Sequence, residues 1–241
     1  MAKYIDIAND LKRKIKDGTY AAGEPLPGQK NLAEDYKTSR MTIQKSLSLL
    51  KAEGYLYSQQ GSATFVKKNI DSLSNLDIGV DQYVGISKLM EGKHKVTSKV
   101  SKFEIRYPVE AECDKLSLGP TDAVYDILRL RLVDEEPYSI EHTIMPISII
   151  PGLDENILNH SVYEYIQGEL GLEIGGAYRQ FSAKKSSEAD IKYLGNESTD
   201  PVLVITNVVY LESGTPFEYS IVDQKYDKGR FGMFIPSQAK Y

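Results

Sequence analysis

Apolar positions recur at helical spacing in three runs over the first part of the chain. Tyr4, Ile5, Ala8, Leu11 and Ile15 form the first, with Lys12, Arg13, Lys14 and Lys16 around them and Gly18 ending the run. GEPLPGQ, Gly23 to Gln29, holds two prolines and cannot be helical, so Leu26 is expected to plug the core between helices. A short helix follows from Gln29 to about Tyr36, packing Leu32, Ala33 and Tyr36, and Lys37 and Thr38 turn the chain into SRMTIQKSLSLLKAEG, Ser39 to Gly54. Ser39 is a good N-cap because its hydroxyl accepts a bond from a free N–H of the first turn, and Gly54 supplies a left-handed stop. Ile43, Leu47 and Leu50 make one apolar stripe, while Arg40, Thr42, Gln44, Lys45 and Ser48 fall away from it. Tyr55 to Tyr57 and Thr64 to Val66 then read as two short strands around a polar, glycine-containing loop.

Lys67 to Gly79 is polar, has no helix pattern and reads as a linker. Beyond Val80 the period changes. Val96 to Tyr107 alternates as a strand, and VEAECDKL makes a short helix after Pro108. Val124 to Val133 and Tyr138 to Met145 read as a hairpin around the turn Asp134 to Pro137. Val162 to Leu170 is expected to be a helix ending at Gly171, and Ser187 to Leu194 another. Gly175 to Ala183, Val202 to Glu212 and Thr215 to Asp223 read as strands, the last two joined by Ser213-Gly214. Hairpins with inserted helices predict an antiparallel α+β domain.

Charge divides the chain at the same place. The net charge of −5 conceals a basic first part, with 12 Lys+Arg against 7 Asp+Glu over residues 1–69, and an acidic remainder with 17 against 27. A compact basic module joined to an acidic one is expected where only the first meets phosphates. The single cysteine, Cys113, excludes a disulfide framework within one chain and suits a reducing compartment. Charges every few residues near the N-terminus exclude a signal peptide there, and no run of about 18 apolar residues predicts a membrane span. A soluble cytoplasmic protein, away from the membrane, is expected.

Two helices separated by a short turn, the second exposing Arg40, Gln44 and Lys45 near its N-terminus, form a helix-turn-helix pattern. The strand pair after it makes a wing, whose tip, Gln59 to Ser62, is placed to approach a minor groove. Residues 3 to 66 resemble the winged-helix domain of GntR-family transcriptional regulators. Gly23, Leu26-Pro27, Leu32-Ala33, Ser39-Arg40, Thr42, Leu47, Leu50, Glu53-Gly54, Gly61 and Thr64-Phe65-Val66 carry the likeness. The resemblance implies DNA contacts from Arg40, Gln44, Lys45 and Thr42, next to the capping Ser39, and from Gln60, Gly61 and Ser62 of the wing. Gln44 replaces a common Arg and Ala63 the second wing glycine, so the operator preference and the depth of the wing are expected to differ from the family's usual ones.

In the second module Arg129 and Arg131 share one face of a strand and Leu128, Leu130 and Leu132 the other, with the arginines roughly 7 Å apart. Two adjacent guanidiniums call for an anion between them, or else line a solvated face or pair with Glu141 across the hairpin. Spacing alone slightly favours the second option. Residues of about 80 to 234 resemble the ligand-binding UTRA domain of the HutC subfamily, through Gly85-Ile86-Ser87, Arg129-Leu130-Arg131, Glu141 before Pro146, Ser161-Val162-Tyr163, Leu194-Gly195, Pro216 with Glu218-Tyr219, and Asp227. That likeness implies an acidic effector held by Ile86, Ser87, Arg129, Arg131, Ser161 and Tyr163, with Glu141 and Glu218 on its hydroxyl or amine groups. Gln224 stands where the family often has Tyr.

The expected organisation is therefore a winged helix-turn-helix DNA-binding domain over residues 1–68, a linker over 69–79, and an antiparallel-sheet α+β effector-binding and dimerisation domain over 80–241, chorismate-lyase-like in fold. The implied function is a homodimeric repressor of carbohydrate uptake or catabolism genes. It reads pseudo-palindromic double-stranded operator DNA and is released by a phosphorylated sugar, such as a phospho-β-glucoside. The two-fold contact is expected at sheet edges of the second domain. A chorismate-lyase-like enzyme acting on an acidic small molecule is the alternative. It lacks a catalytic signature, and it leaves the DNA-binding module without a task. His94, His142 and His160 are scattered and have no metal-ligand spacing, so no metal and no cofactor are expected.

Overall fold

The computed structural model describes residues 3–58, 63–68, 78–79, 85–228 and 231–232. The wing-tip residues Gln60, Gly61 and Ser62, and residues 69–77 of the linker, lie outside the described residues. The chain divides into two compact units, Met1–Gln82 with Gly229–Tyr241, and Tyr83–Lys228.

In the first unit, α1 (Lys3–Lys16), α2 (Gln29–Asp35) and α3 (Arg40–Ala52) are followed by β1 (Leu56–Ser58) and β2 (Thr64–Val66). Ile7, Ala8, Leu11 and Ile15 of α1 close one core with Leu32, Ala33, Ile43, Leu47, Leu50 and Leu26. Leu26 is there for two reasons. Its side chain is buried, and its segment pairs with β2, with Gly23 N and Leu26 N donating to Val66 O and Thr64 O. β1 and β2 are antiparallel, Leu56 opposite Val66. Gly54 takes a φ of +78°, the left-handed stop expected after α3. Between α1 and α2, the Asp10 carboxylate accepts from the Tyr36 hydroxyl at 2.7 Å and pairs with Lys14 at 2.9 Å. These two partners outweigh partial burial and hold Asp10 down to about 2, while burial and Asp10 push Tyr36 up to about 12. Two further short strands, β3 (Ile78–Gly79) and β10 (Phe231–Gly232), pair in parallel.

The second unit is a six-stranded antiparallel sheet in the order β4-β5-β6-β9-β8-β7. Its strands are β4 (Val96–Arg106), β5 (Val124–Val133), β6 (Glu136–Pro146), β7 (Ile174–Lys185), β8 (Pro201–Leu211) and β9 (Pro216–Lys225). Helices α4 (Ile86–Leu89), α5 (Glu110–Leu116), α6 (Glu155–Asn159), α7 (Val162–Glu164) and α8 (Glu188–Leu194) accompany it. One sheet face builds the larger core, where Tyr125, Ile127, Met145, Val209 and Phe217 meet Leu158, Val162 and Ile166. On the other face Leu116 packs on Val124 and Ile144.

Two expected elements are adjusted. The β5–β6 turn is two residues long, because Asp134 and Glu135 both take positive φ (50° and 70°), the twist that a tight hairpin requires. Glu136 and Pro137 therefore belong to β6. Pro137 is tolerated because the neighbouring β9 pairs with β6 only from Ser139 onward. The helix expected over 162–170 is one α turn followed by a π turn, Tyr165–Glu169, before Gly171.

On the second face Asp126 accepts from Arg106 Nε at 2.5 Å and Lys102 Nζ at 2.9 Å, and lies 2.8 Å from His142 Nε2. Arg106 also grips Glu112 with both terminal nitrogens at 2.7 Å, which ties β4 to α5. Burial opposes ionisation of Asp126, but the hydrogen bonds from Arg106 and Lys102 and the contact with His142 outweigh it and hold the carboxyl down to about 2. Its contribution to stability is thus present above the unfolded value of about 3.9 and lost as pH falls toward 2. Asp126→Asn is expected to cost about 3 kcal/mol at pH 7. In urea denaturation the gap to wild type should narrow chiefly between about pH 4 and pH 2, the interval between the unfolded and folded values.

Candidate functional site

The exposed side of α3 is held in place from beneath. Ser46 is fully buried, and its hydroxyl donates toward Tyr4 O at 2.8 Å and Thr42 O at 3.0 Å, fixing α3 on α1. Lys12 pairs with Glu53 at 2.6 Å and anchors the other end. Ser39 Oγ accepts from Thr42 N at 3.1 Å and lies 2.9 Å from Thr42 Oγ1, so these two side chains build the cap. Arg40, Gln44 and Lys45 are exposed together, with Lys45 Nζ 6.0 Å from the Tyr4 ring centre. Met41, 63% exposed, joins them, a residue the polar pattern did not single out. The exposed N-terminal turn and its cations suit a phosphate backbone and base edges.

In the second unit the arginines are on the buried side. Arg129 is 9% and Arg131 3% exposed, whereas Leu128 and Leu130 on the opposite face are only half-buried. The reading of a solvated face is therefore corrected. The register explains how cations are accommodated there. One row across the sheet runs Ser98, Arg131, Ser139, Gln224, and the next runs Val100, Arg129, Glu141, Val222. A third carries Thr143, Ser220 and Asn207. The inner face is thus a polar platform at this end and an apolar core at the other.

Each guanidinium is held at its tips. Arg129 donates to Glu141 Oε2 at 2.9 Å and to Leu158 O at 3.1 Å. Arg131 donates to Ser98 Oγ and Ser87 Oγ, both at 2.7 Å, and its Nε lies 3.8 Å from Glu141 Oε1. The Nε atoms of both arginines are buried without a hydrogen-bond partner among the described residues. Burial pushes the Arg131 guanidinium down from its usual value, with Arg129 adding to the effect and Glu141 opposing it. Glu218 is buried and accepts from Tyr163 Oη and Ser220 Oγ, each at 2.8 Å. Its burial outweighs these bonds and raises the carboxyl.

Ser87, Arg129, Arg131 and Glu141 are therefore joined by direct contacts, and Glu218 with Tyr163 forms a neighbouring pair coupled to Glu141 and Arg129 by charge. Ile86 opens α4 beside Ser87 and is half-buried. The Ser161 hydroxyl instead caps α7, accepting from Glu164 N at 3.3 Å. Ser98 and Ser220 went unnoticed in the sequence. Ser220 was legible as the residue two beyond Glu218 on one strand face, but Ser98 needed the β4–β5 register. A shift in the β8–β9 register skips Phe217, so that Phe217 and Glu218 are both buried although consecutive. Glu218→Gln is expected to stabilise the ligand-free protein at pH 7. A raised carboxyl favours the fold only below its unfolded pKa, and that stability is lost as pH rises through the folded value. Melting at pH 4 and pH 7 checks this, with the advantage of the variant larger at pH 7.

A winged helix with an exposed cationic N-terminal turn, followed by a sheet domain with a buried arginine pair, is the build of a DNA-binding regulator with a separate ligand domain. Residues 3–66 match the model of the gntR family of bacterial regulatory proteins, and residues 91–223 that of the UTRA domain. The chain is 36% identical over 228 residues to the HTH-type transcriptional regulator GmuR of Bacillus subtilis (strain 168), covering 95% of this chain and 96% of that protein. It is 30% identical over 230 residues to TreR of the same organism, with 95% of each covered. The crystal structure of the possible transcriptional regulator YydK from B. subtilis superposes with a TM-score of 0.79 at 29% identity, covering 98% of this chain and 100% of that one. The chain belongs to the GntR family of transcriptional regulators, in its UTRA-carrying, HutC-type branch. No helix among the described residues is long and apolar enough to cross a membrane.

Proposed function

We propose that the chain is a cytoplasmic, homodimeric repressor of genes for sugar uptake or breakdown, and that a phosphorylated sugar releases it from its operator. The observation that carries this reading is the surplus of buried positive charge at the arginine pair. Among the described residues, Arg129 and Arg131 are opposed directly by one carboxylate, Glu141, so two buried guanidiniums share a single negative charge. A buried cation without a counterion is costly, and an anionic group arriving there removes that cost. The planar guanidinium forks suit phosphate oxygens, and Glu141, Glu218 and Tyr163 suit the hydroxyls of an attached sugar. TreR, whose effector-binding domain is described as that of a trehalose repressor, supports both the sugar and the repressor role.

Release follows from a population shift. The ligand favours an arrangement of the two winged helices that no longer fits both half-sites. A hundredfold loss of operator affinity requires a preference of about 2.7 kcal/mol for that state. On this reading the chain catalyses no reaction. Calorimetric titration of glucose 6-phosphate, a 6-phospho-β-glucoside and the matching free sugars is the test. Binding that requires the phosphate supports the proposal, whereas binding of free sugars alone, or turnover of a phosphorylated one, contradicts it.

A further inference from the structure

We propose that Asn207 is a positioning residue of the effector site: with its amide oriented by Arg179, it turns the Ser220 hydroxyl onto Glu218 and so presents Glu218 to the effector as a hydrogen-bond acceptor. The inference rests on the reading of Glu218 as part of the effector site. Arg179 and Asn207 lie on other strands than Glu218, and the register brings them into line. Arg179 of β7 stands opposite Asn207 of β8, and Asn207 opposite Ser220 of β9. Asn207 and Ser220 are buried, and half-buried Arg179 opens the row at the edge of the sheet.

Donors and acceptors along this row run in one direction. Arg179 Nε donates to Asn207 Oδ1 at 2.8 Å. A guanidinium has no acceptor and keeps its charge, so the amide oxygen faces it and the amide NH₂ faces away. Asn207 Nδ2 then donates to Ser220 Oγ at 3.2 Å, and Ser220 Oγ donates to Glu218 Oε1 at 2.8 Å. Because the amide supplies Ser220 with a proton from one side, the hydroxyl's own proton is left for Glu218. Tyr163 Oη donates to Glu218 Oε2 at 2.8 Å. Both carboxylate oxygens thus accept, and each has a second lone pair for a ligand. A hydroxyl or amino group suits those lone pairs, whereas a carbonyl or carboxylate would set acceptor against acceptor. The row therefore selects an effector that carries a donor in addition to its acidic group. Around Glu218 stand Tyr163 of α7, Glu141 of β6 and Arg129 of β5, and the bond from Ser220 offsets part of the burial that raises the carboxyl.

Asn207→Asp is the deciding variant. Aspartate has the shape of asparagine and accepts from Arg179 as before, but it offers Ser220 an acceptor in place of a donor, so the hydroxyl turns away from Glu218. Carbon-13 NMR titration of the ligand-free protein should place the Glu218 carboxyl about one pH unit or more above its wild-type value. Calorimetry with a 6-phospho-β-glucoside at pH 7 should show roughly 10- to 100-fold weaker binding, the worth of one hydrogen bond to a charged group. Asn207→Leu, which removes the donor without supplying an acceptor, should move both readouts the same way by less. Unchanged operator affinity marks each variant as folded. Ser220→Ala cuts the row, so adding Asn207→Asp to it should move Glu218 no further. A negative charge acting through space would raise Glu218 equally with or without Ser220, and that additivity, or an unmoved Glu218 in Asn207→Asp, would overturn the proposal. Failure of the wild type to bind the phosphoglucoside would overturn the assigned effector instead, while the Glu218 titration still decides the role of Asn207.

Discussion

Arg40→Ala is expected to abolish specific operator binding while leaving effector affinity and melting temperature unchanged. Arg40 is the first residue of α3, exposed, just beyond the Ser39 cap. Truncating an exposed side chain of this kind moves stability by no more than about 0.5 kcal/mol. A bidentate contact from Arg to a base edge is worth about 1–3 kcal/mol. A dimer makes it in both half-sites, so the loss is about 2–6 kcal/mol, or roughly 30-fold to more than 10⁴-fold in affinity. Electrophoretic mobility shift at fixed salt reads this directly, and an unaltered operator affinity would remove α3 from its assigned role. Gln44→Ala should shift base preference at one position of each half-site, since the Gln amide reads an adenine edge.

Arg129→Ala should give a protein that binds its operator with wild-type affinity and ignores the effector. The substitution removes one of the two buried guanidiniums and leaves Glu141, among the described residues, with Arg131 Nε at 3.8 Å. It also takes away the donor to Leu158 O, on the helix that covers this part of the sheet. Loss of a buried charged contact costs about 2–5 kcal/mol, which places the effect on ligand affinity between roughly 30-fold and several thousandfold. Arg129→Lys should not restore the response, because a single ammonium cannot reach both Glu141 and the Leu158 carbonyl with the geometry of the planar fork. A variant that folds and still releases DNA on adding the effector would refute the arginine pair as the effector site.

The first unit was the more legible in the sequence because its information is local. The stripe Ile43, Leu47, Leu50, the cap at Ser39 and the stop at Gly54 each follow from residues within one helix. Leu26 required only that two prolines forbid a helix. The sheet domain depends on partners distant in the chain. Alternation separated Arg129 and Arg131 from the leucines correctly, but it could not say which face is buried. The side chains that make the buried face polar come from four other strands, among them Ser98, Ser139, Ser220 and Asn207. The π turn after α7 leaves no residue trace in a helical repeat, and the two-residue hairpin turn was hidden because Asp134 and Glu135 lack the glycine that usually announces positive φ.

Fluorescence anisotropy of labelled DNA from upstream of the protein's own gene, titrated with the protein at fixed salt and then with phosphorylated and free sugars, tests the central claim most directly. The account predicts specific binding that one sugar phosphate weakens about a hundredfold and that the matching free sugar leaves intact. Specific binding that responds to no sugar phosphate would contradict the assigned effector class, and the absence of specific binding to any upstream DNA would contradict the regulator reading as a whole.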